Sequence, residues 1–256
     1  IPVNRLTAIT GFSGAGKTSL ILDSLVPAIH AQASGAKLPS QVRKLSSPLK
    51  EVVSVDAAPI GKTNRSTVAT YTSIMDNLRK LFAAQPLAKE KHYTPSYFSY
   101  NNKQGACPTC GGAGVVTLDI QCLPDMEQTC ATCGGSRYNE EVQKVKWQGY
   151  SIVDLLKLDV RAAMSVFKEV PKIAREFQLL DEVGLGYLHL GESTPSLSGG
   201  EAQRLKLVKH LNHNQSETLF VFDEPTIGLH PLDVKTLLAV MQQLLDRGAT
   251  IITITH

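Results

Sequence analysis

The sequence predicts an α/β fold: a mostly parallel sheet flanked by helices and interrupted by a smaller α+β insertion. Three observations carry this. A glycine-rich loop, Gly11-Phe-Ser-Gly-Ala-Gly16-Lys17-Thr18, stands between a β-prone run, Leu6 to Thr10, and a helix-prone run, Ser19 to Leu25. Far downstream, Thr218 to Phe222 is an apolar run bounded by polar residues, the pattern of a fully buried parallel strand. Between them lie two C-x-x-C pairs, 107/110 and 130/133, which mark a separate small module.

The loop fits G-x-x-x-x-G-K-[ST] in full. Gly11, Gly14 and Gly16 let the backbone wrap closely enough for its N–H groups to point at phosphate oxygens. The helix N-terminus adds a favourable potential for an anion. Lys17 supplies a point charge for β/γ-phosphates, and the Thr18 hydroxyl can ligate Mg²⁺, so an ATP site is expected. Asp223, at the carboxyl end of the downstream strand, would hold Mg²⁺ directly or through water, and Glu224 would polarise the attacking water. Pro225 to Pro231 is turn-rich, Leu232 to Arg247 has helical periodicity, and Ala249 to Thr255 reads as a last strand closing on His256.

Cys107, Cys110, Cys130 and Cys133 form C-x₂-C-x₁₉-C-x₂-C, which fits a tetrahedral Cys₄ zinc site with glycines after each pair for the tight knuckles. Without a signal peptide, this spacing points to metal rather than disulfides. Val115 to Leu123 reads as β-rich, giving a zinc-clamped hairpin in which Cys122 packs rather than ligates.

At 256 residues and 43% hydrophobic, the chain can bury a substantial core in one or two domains. Its apolar runs are too short to span a membrane, so a cytoplasmic protein with no membrane partner is expected. The net charge of +3 is unevenly spread: residues 37–103 hold eleven Lys/Arg against four acids. That segment suits a polyanion, and charge alone equally allows a solvated basic face.

Further strings give a resemblance. Ser196-Leu-Ser-Gly-Gly-Glu-Ala-Gln-Arg-Leu-Lys206, followed by Phe220-Val-Phe-Asp-Glu-Pro225, resembles the signature and Walker B segments of ABC ATPases, a P-loop NTPase family. The resemblance implies that Ser13 and Ser19 join Gly11, Gly14, Gly16, Lys17, Thr18 and Asp223 around ATP, and that His256 is the switch histidine at the γ-phosphate. It also implies that Ser198, Gly199 and Gly200 close over ATP held by a facing ABC half. Ser198 lies 180 residues beyond Thr18, so a sizeable insertion separates the motifs. An ABC domain interrupted by a Cys₄ module is similar to the UvrA family. Ala57-Ala-Pro-Ile-Gly-Lys-Thr-Asn-Arg-Ser66, Phe98-Ser-Tyr-Asn101, Arg137-Tyr-Asn139 and Val183-Gly-Leu-Gly-Tyr187 carry the likeness along the chain.

That family implies a C-terminal ABC half acting in damage recognition during nucleotide excision repair. The implied partners are double-stranded DNA and a UvrB-like protein, and no nuclease activity of its own is expected. Lys62 and Arg65 are carried over as DNA phosphate contacts, with Arg137 as a weaker candidate. The implied architecture is an ATP-binding lobe at 1–72 and 205–256, and a zinc-binding α+β signature domain at 73–204 with its zinc module at about 98–140. Two departures stand out: Ala57 replaces the glutamine of the Q-loop, and Val68 replaces a usual proline. They favour a divergent paralogue, so drug resistance or self-protection with weakened ATP turnover stays open. An ABC module acting on ribosomes or proteins is the alternative from another class. Starting at Ile1 and stopping at His256, the chain reads as a fragment.

Overall fold

The structure, a computed structural model, describes residues 1–118, 126–226, 229 and 231–255. The chain divides into two compact units. One comprises Ile1–Pro59, Glu182–Leu185 and Leu197–His256; the other comprises Ile60–Asp181 and Gly186–Ser196.

In the first unit, strands β1 (Leu6–Ile9), β2 (Glu51–Val55), β5 (Thr218–Asp223) and β6 (Thr250–Ile254) form a parallel sheet in the order β1-β6-β5-β2. β5 lies between two neighbours, and its first five residues are buried, as its apolar run requires. A π-helical turn, Ser19–Leu25, leads into α1 (Val26–Ser34), which ends on Gly35 in the left-handed conformation. Ile21 and Ile29 from this helical stretch pack with Leu219, Val221, Ile252 and Ile254, the alternate residues of β5 and β6. Burying each such side chain stabilises the unit by about 1.5–3 kcal/mol. The unit also holds α9 (Gly199–Val208) and α10 (Pro231–Asp246).

The second unit contains α2 (Val68–Tyr71), α3 (Ile74–Ala83), α4 (Pro86–Glu90), α5 (Glu140–Lys144), α6 (Ile152–Leu156), α7 (Val160–Val166) and most of α8 (Pro171–Glu182). Its two strands, β3 (Val115–Leu118) and β4 (Met126–Thr129), pair antiparallel, with Val115 opposite Thr129. Phe82, Phe98, Tyr100, Tyr138, Phe167 and Phe177 form much of its buried volume. Cys122 lies outside the described residues.

The division differs from the expected 72/73 and 204/205 boundaries. Residues 60–72 belong with the second unit because the Val68 and Ala69 N–H groups donate to the Glu192 and Leu190 carbonyls. Residues 197–204 belong with the first because the whole of α9 packs there, so the signature and the Cys₄ module lie in different units.

Candidate functional site

The phosphate loop and the paired acids arrive at one end of the sheet. β1 runs into the Gly11–Thr18 loop, and Ile9 is in register with Ile254 of β6. Asp223 ends β5 and is in register with the same Ile254. Parallel strands therefore bring both segments to a shared carboxyl edge, the usual position of ligands on such sheets. Gly14 and Gly16 have φ of 78° and 83°, and a Cβ added at either would meet nothing within 4 Å. Backbone conformation, rather than space, is what demands glycine there. Lys17 folds its ammonium over the loop, donating to the carbonyls of Gly11 at 2.6 Å and Phe12 at 3.0 Å. These are contacts that phosphate oxygens would replace. Thr18 directly precedes the helical turn that Ser19 begins, with no capping hydrogen bond from its side chain, while Ser13 sits exposed in the loop.

Glu224 is held in a left-handed conformation, φ 48°, which is unusual for a non-glycine residue. Its N–H donates to the Ile254 carbonyl at 2.9 Å, extending the β5–β6 pairing one residue past the strand. Strain of this kind persists only where the surroundings enforce it, and it turns the chain sharply just after Asp223. His256 lies outside the described residues.

The signature opens α9. Ser198 is its N-cap, its hydroxyl accepting from the Glu201 N–H while the Glu201 carboxylate accepts from the Ser198 N–H at 2.7 Å. This capping box fixes how the Gly199–Gly200 backbone leaves the loop. Both glycines make close approaches. A Cβ on Gly199 would stand 3.0 Å from the Ala57 Cβ, and one on Gly200 would stand 2.5 Å from the Leu229 Cδ2.

Two contacts not read from the sequence hold α9. The Lys206 ammonium donates to the Asp56 Oδ1 at 2.5 Å, the Asp56 carbonyl at 3.0 Å and the Ala58 carbonyl at 2.8 Å. This ties the signature helix to the loop that carries Ala57. The hydrogen bond from Lys206 holds the Asp56 carboxyl below its ordinary 3.8. Its contribution is full above that value and is lost as the pH falls through the depressed one. With Asp56 59% exposed, the electrostatic part is small. The second contact is Arg204 Nη1, which donates to Asp233 Oδ1 at 2.6 Å and joins α9 to α10. Arg204 is 4% exposed, and its Nε is buried without a partner. No periodicity or spacing pairs residues this far apart in sequence.

In the second unit, the Sγ atoms of Cys107, Cys110, Cys130 and Cys133 all lie within 4.8 Å of one another. Cys107 to Cys130 is 3.9 Å and Cys110 to Cys133 is 3.7 Å. A tetrahedron with Zn–S bonds of about 2.3 Å has S···S edges of about 3.8 Å, so the donor set fits Zn²⁺ in size and chemistry. Backbone N–H groups reach the sulfurs: Gly114 donates to Cys110 Sγ at 3.2 Å, and bonds from Cys133 and Thr132 pull Cys130 down to about 7, while burial pushes its neighbour Cys133 up to about 11, so the pair shares a proton until a cation replaces it. Gly112 cannot be replaced, because a Cβ would fall 1.9 Å from the Tyr100 carbonyl.

The expected DNA contacts have structural partners. Arg65 donates to Asn101 Oδ1 and to the Gly111 carbonyl of the first knuckle. Arg137, beyond the second knuckle, donates to the Asn64 carbonyl and lies 5.2 Å above the Tyr100 ring. Asn64 in turn donates to Glu127 on β4 and accepts from Ser193. Both knuckles thus grip the loop that bears Lys62, which is exposed. The sequence marked these arginines as cations; it did not show them as braces.

No protein-family profile matches the chain. Individual proteins do. It is 45% identical over 260 residues to UvrABC system protein A of Thermus thermophilus, covering 100% of this chain and 27% of that protein. The corresponding protein of Streptomyces avermitilis is 44% identical over 259 residues, covering 100% of this chain and 26% of its own length. Among solved structures, UvrA2 from Deinococcus radiodurans superposes with a TM-score of 0.89 at 43% identity, covering 100% of this chain and 31% of that one. The chain therefore spans about a quarter of the length of the curated relatives it matches. Along that whole stretch, in sequence and in fold, the chain is similar to the corresponding part of UvrA proteins.

Proposed function

We propose that the chain forms part of an ATP-dependent DNA-binding protein of UvrA type, contributing one nucleotide site, one signature and one zinc module to damage recognition in excision repair. The observation that carries this reading is end-to-end identity of 45% to UvrABC system protein A, in a chain whose phosphate loop and Asp223–Glu224 pair share one sheet edge. Gly11 to Ser19 would cradle the phosphates of ATP, Thr18 and Asp223 would hold Mg²⁺, and Glu224 would orient the attacking water. His256 would act at the γ-phosphate. Ser198, Gly199 and Gly200 would face ATP bound by another ABC half, which the unmatched length of the relatives has room for. The four cysteines would hold Zn²⁺ as a structural site. Lys62 would contact the DNA backbone, with Arg65 and Arg137 shaping its loop and lending spare N–H groups. A UvrB-like partner would take over the marked DNA. Among the described residues, no helix is long and apolar enough to cross a membrane.

Two measurements on the full-length protein test this. Fluorescence anisotropy with damaged and undamaged duplex, with and without ATP, should show salt-sensitive binding that nucleotide modulates. Glu224→Gln should lower the ATPase rate by about 10²-fold or more while leaving ATP binding intact. Absence of any salt-sensitive duplex binding would refute the reading.

Ala57 favours a second reading, a paralogue with weakened turnover that protects against a DNA-bound drug. Ala57 is exposed, so a longer side chain can be accommodated there. Ala57→Gln should then raise the ATPase rate several-fold; an unchanged rate would show that position 57 does not limit turnover.

A further inference from the structure

The second unit contains a cavity of ≈ 470 Å³ whose lining shares only Arg137 with the roles above. Its size falls within the range of about 300–1,000 Å³ common to small-molecule sites. Val153 and Leu156 give it an apolar wall, the buried Tyr100 also lines it, and Arg137, Lys157 and Glu192 line it with charge.

Three further features point to a ligand. Arg137 is a non-glycine residue at φ 73°, fixed by its bond to the Asn64 carbonyl and by the Cys107 N–H that donates to its own carbonyl at 2.9 Å. Backbone strain maintained at the wall of a cavity is a mark of a functional position. The hydroxyl of Ser136, another lining residue, is buried and has no hydrogen-bond partner. Such orphan groups are rare and call for an explanation. Finally, the Lys157 ammonium is exposed and has no partner among the described residues, and Glu192 uses only Oε2, to accept from the His189 N–H at 3.3 Å.

These groups define the ligand's chemistry. Two cations against one carboxylate leave a single positive charge, suited to one phosphate. The apolar wall suits a flat ring, and the free Glu192 oxygen can accept from an exocyclic amine. The volume exceeds what a base alone needs. We infer that this cavity is a deoxynucleotide pocket, with the base against Val153 and Leu156 and the phosphate at Arg137 and Lys157. The nucleotide is either free or extruded from a duplex, and the second source rests on the DNA-binding reading above. Extrusion is least costly at a damaged or mismatched base pair, which would make the pocket a test of base-pair integrity.

The experiment uses the full-length protein, a mismatched duplex containing 2-aminopurine, and free 2-aminopurine deoxyribonucleoside monophosphate. Anisotropy reads duplex binding separately from 2-aminopurine fluorescence. The variants are Leu156→Trp, which narrows the pocket, and Lys157→Glu, an exposed position whose change leaves packing intact. If the pocket takes an extruded nucleotide, wild type raises the duplex fluorescence and both variants lose most of that rise while still binding the duplex by anisotropy. If the source is free nucleotide, the monophosphate binds wild type, and Lys157→Glu weakens it by about tenfold or more, whether or not duplex binds. Duplex binding with a fluorescence change equal in all three proteins, together with no binding of the monophosphate, overturns the pocket and leaves the DNA-binding reading standing. Failure of both probes overturns both.

Discussion

Replacing Cys107 or Cys130 with serine is expected to cost the full-length protein one zinc equivalent and to melt the module around it. Both cysteines are buried, at 1% and 0% exposure, so a serine there presents an uncharged hydroxyl in place of a thiolate with no water to compensate. Binding of structural zinc contributes on the order of 10–16 kcal/mol to the folding of small modules, so little else in this region could offset its loss. The damage should spread along the braces. With the knuckles released, Arg65 loses its Gly111 acceptor and Arg137 its fixed backbone, and the 60–66 loop is freed from both sides. Metal quantification against wild type and limited proteolysis across residues 60–66 and 105–138 would read the two effects. An unchanged zinc content in either variant would show that these four thiols are not one site.

Asp233→Ala should be the most damaging single change in the first unit outside its apolar core. It leaves the guanidinium of Arg204 buried with neither its carboxylate nor a partner for Nε. Removing one member of a buried ion pair typically costs about 3–5 kcal/mol. Asp233 is itself 41% exposed, which places the loss at the lower end of that range. For a unit of this size the expected drop in Tm is roughly 6–12 °C. Thermal unfolding checks it, and a Tm within a degree of wild type would mean that Arg204 is solvated or finds another acceptor. Because the pair joins α9 to α10, the variant should also loosen the helix that presents the signature.

The parts of this fold that were legible in advance are those written locally. The phosphate loop carries its own glycines, β5 its own apolar run, and the knuckles their own spacing, so each could be placed before any contact was known. What could not be read depends on tertiary proximity. Arg204 and Lys206 stood in the sequence only as parts of the signature-like string. Neither Asp56 nor Asp233 is near them in sequence, and only packing makes them partners. The same blindness affected Arg65 and Arg137. Their charge suggested an external polyanion, while the backbone carbonyls they hold carry no sequence signal at all. The boundaries of the units were missed for a related reason: Val68 and Ala69 pair with a loop more than a hundred residues away.

The grip of Lys206 on Asp56 and Ala58 also couples two segments far apart in sequence. One ammonium spanning three oxygens makes the start of the β2–α2 connection and the signature helix a single stiff lever. A Cβ on Gly199 would press on that of Ala57, so the start of α9 also lies close against this loop. A strain applied at residues 56–58 is therefore shared with α9 rather than relaxed within the loop alone.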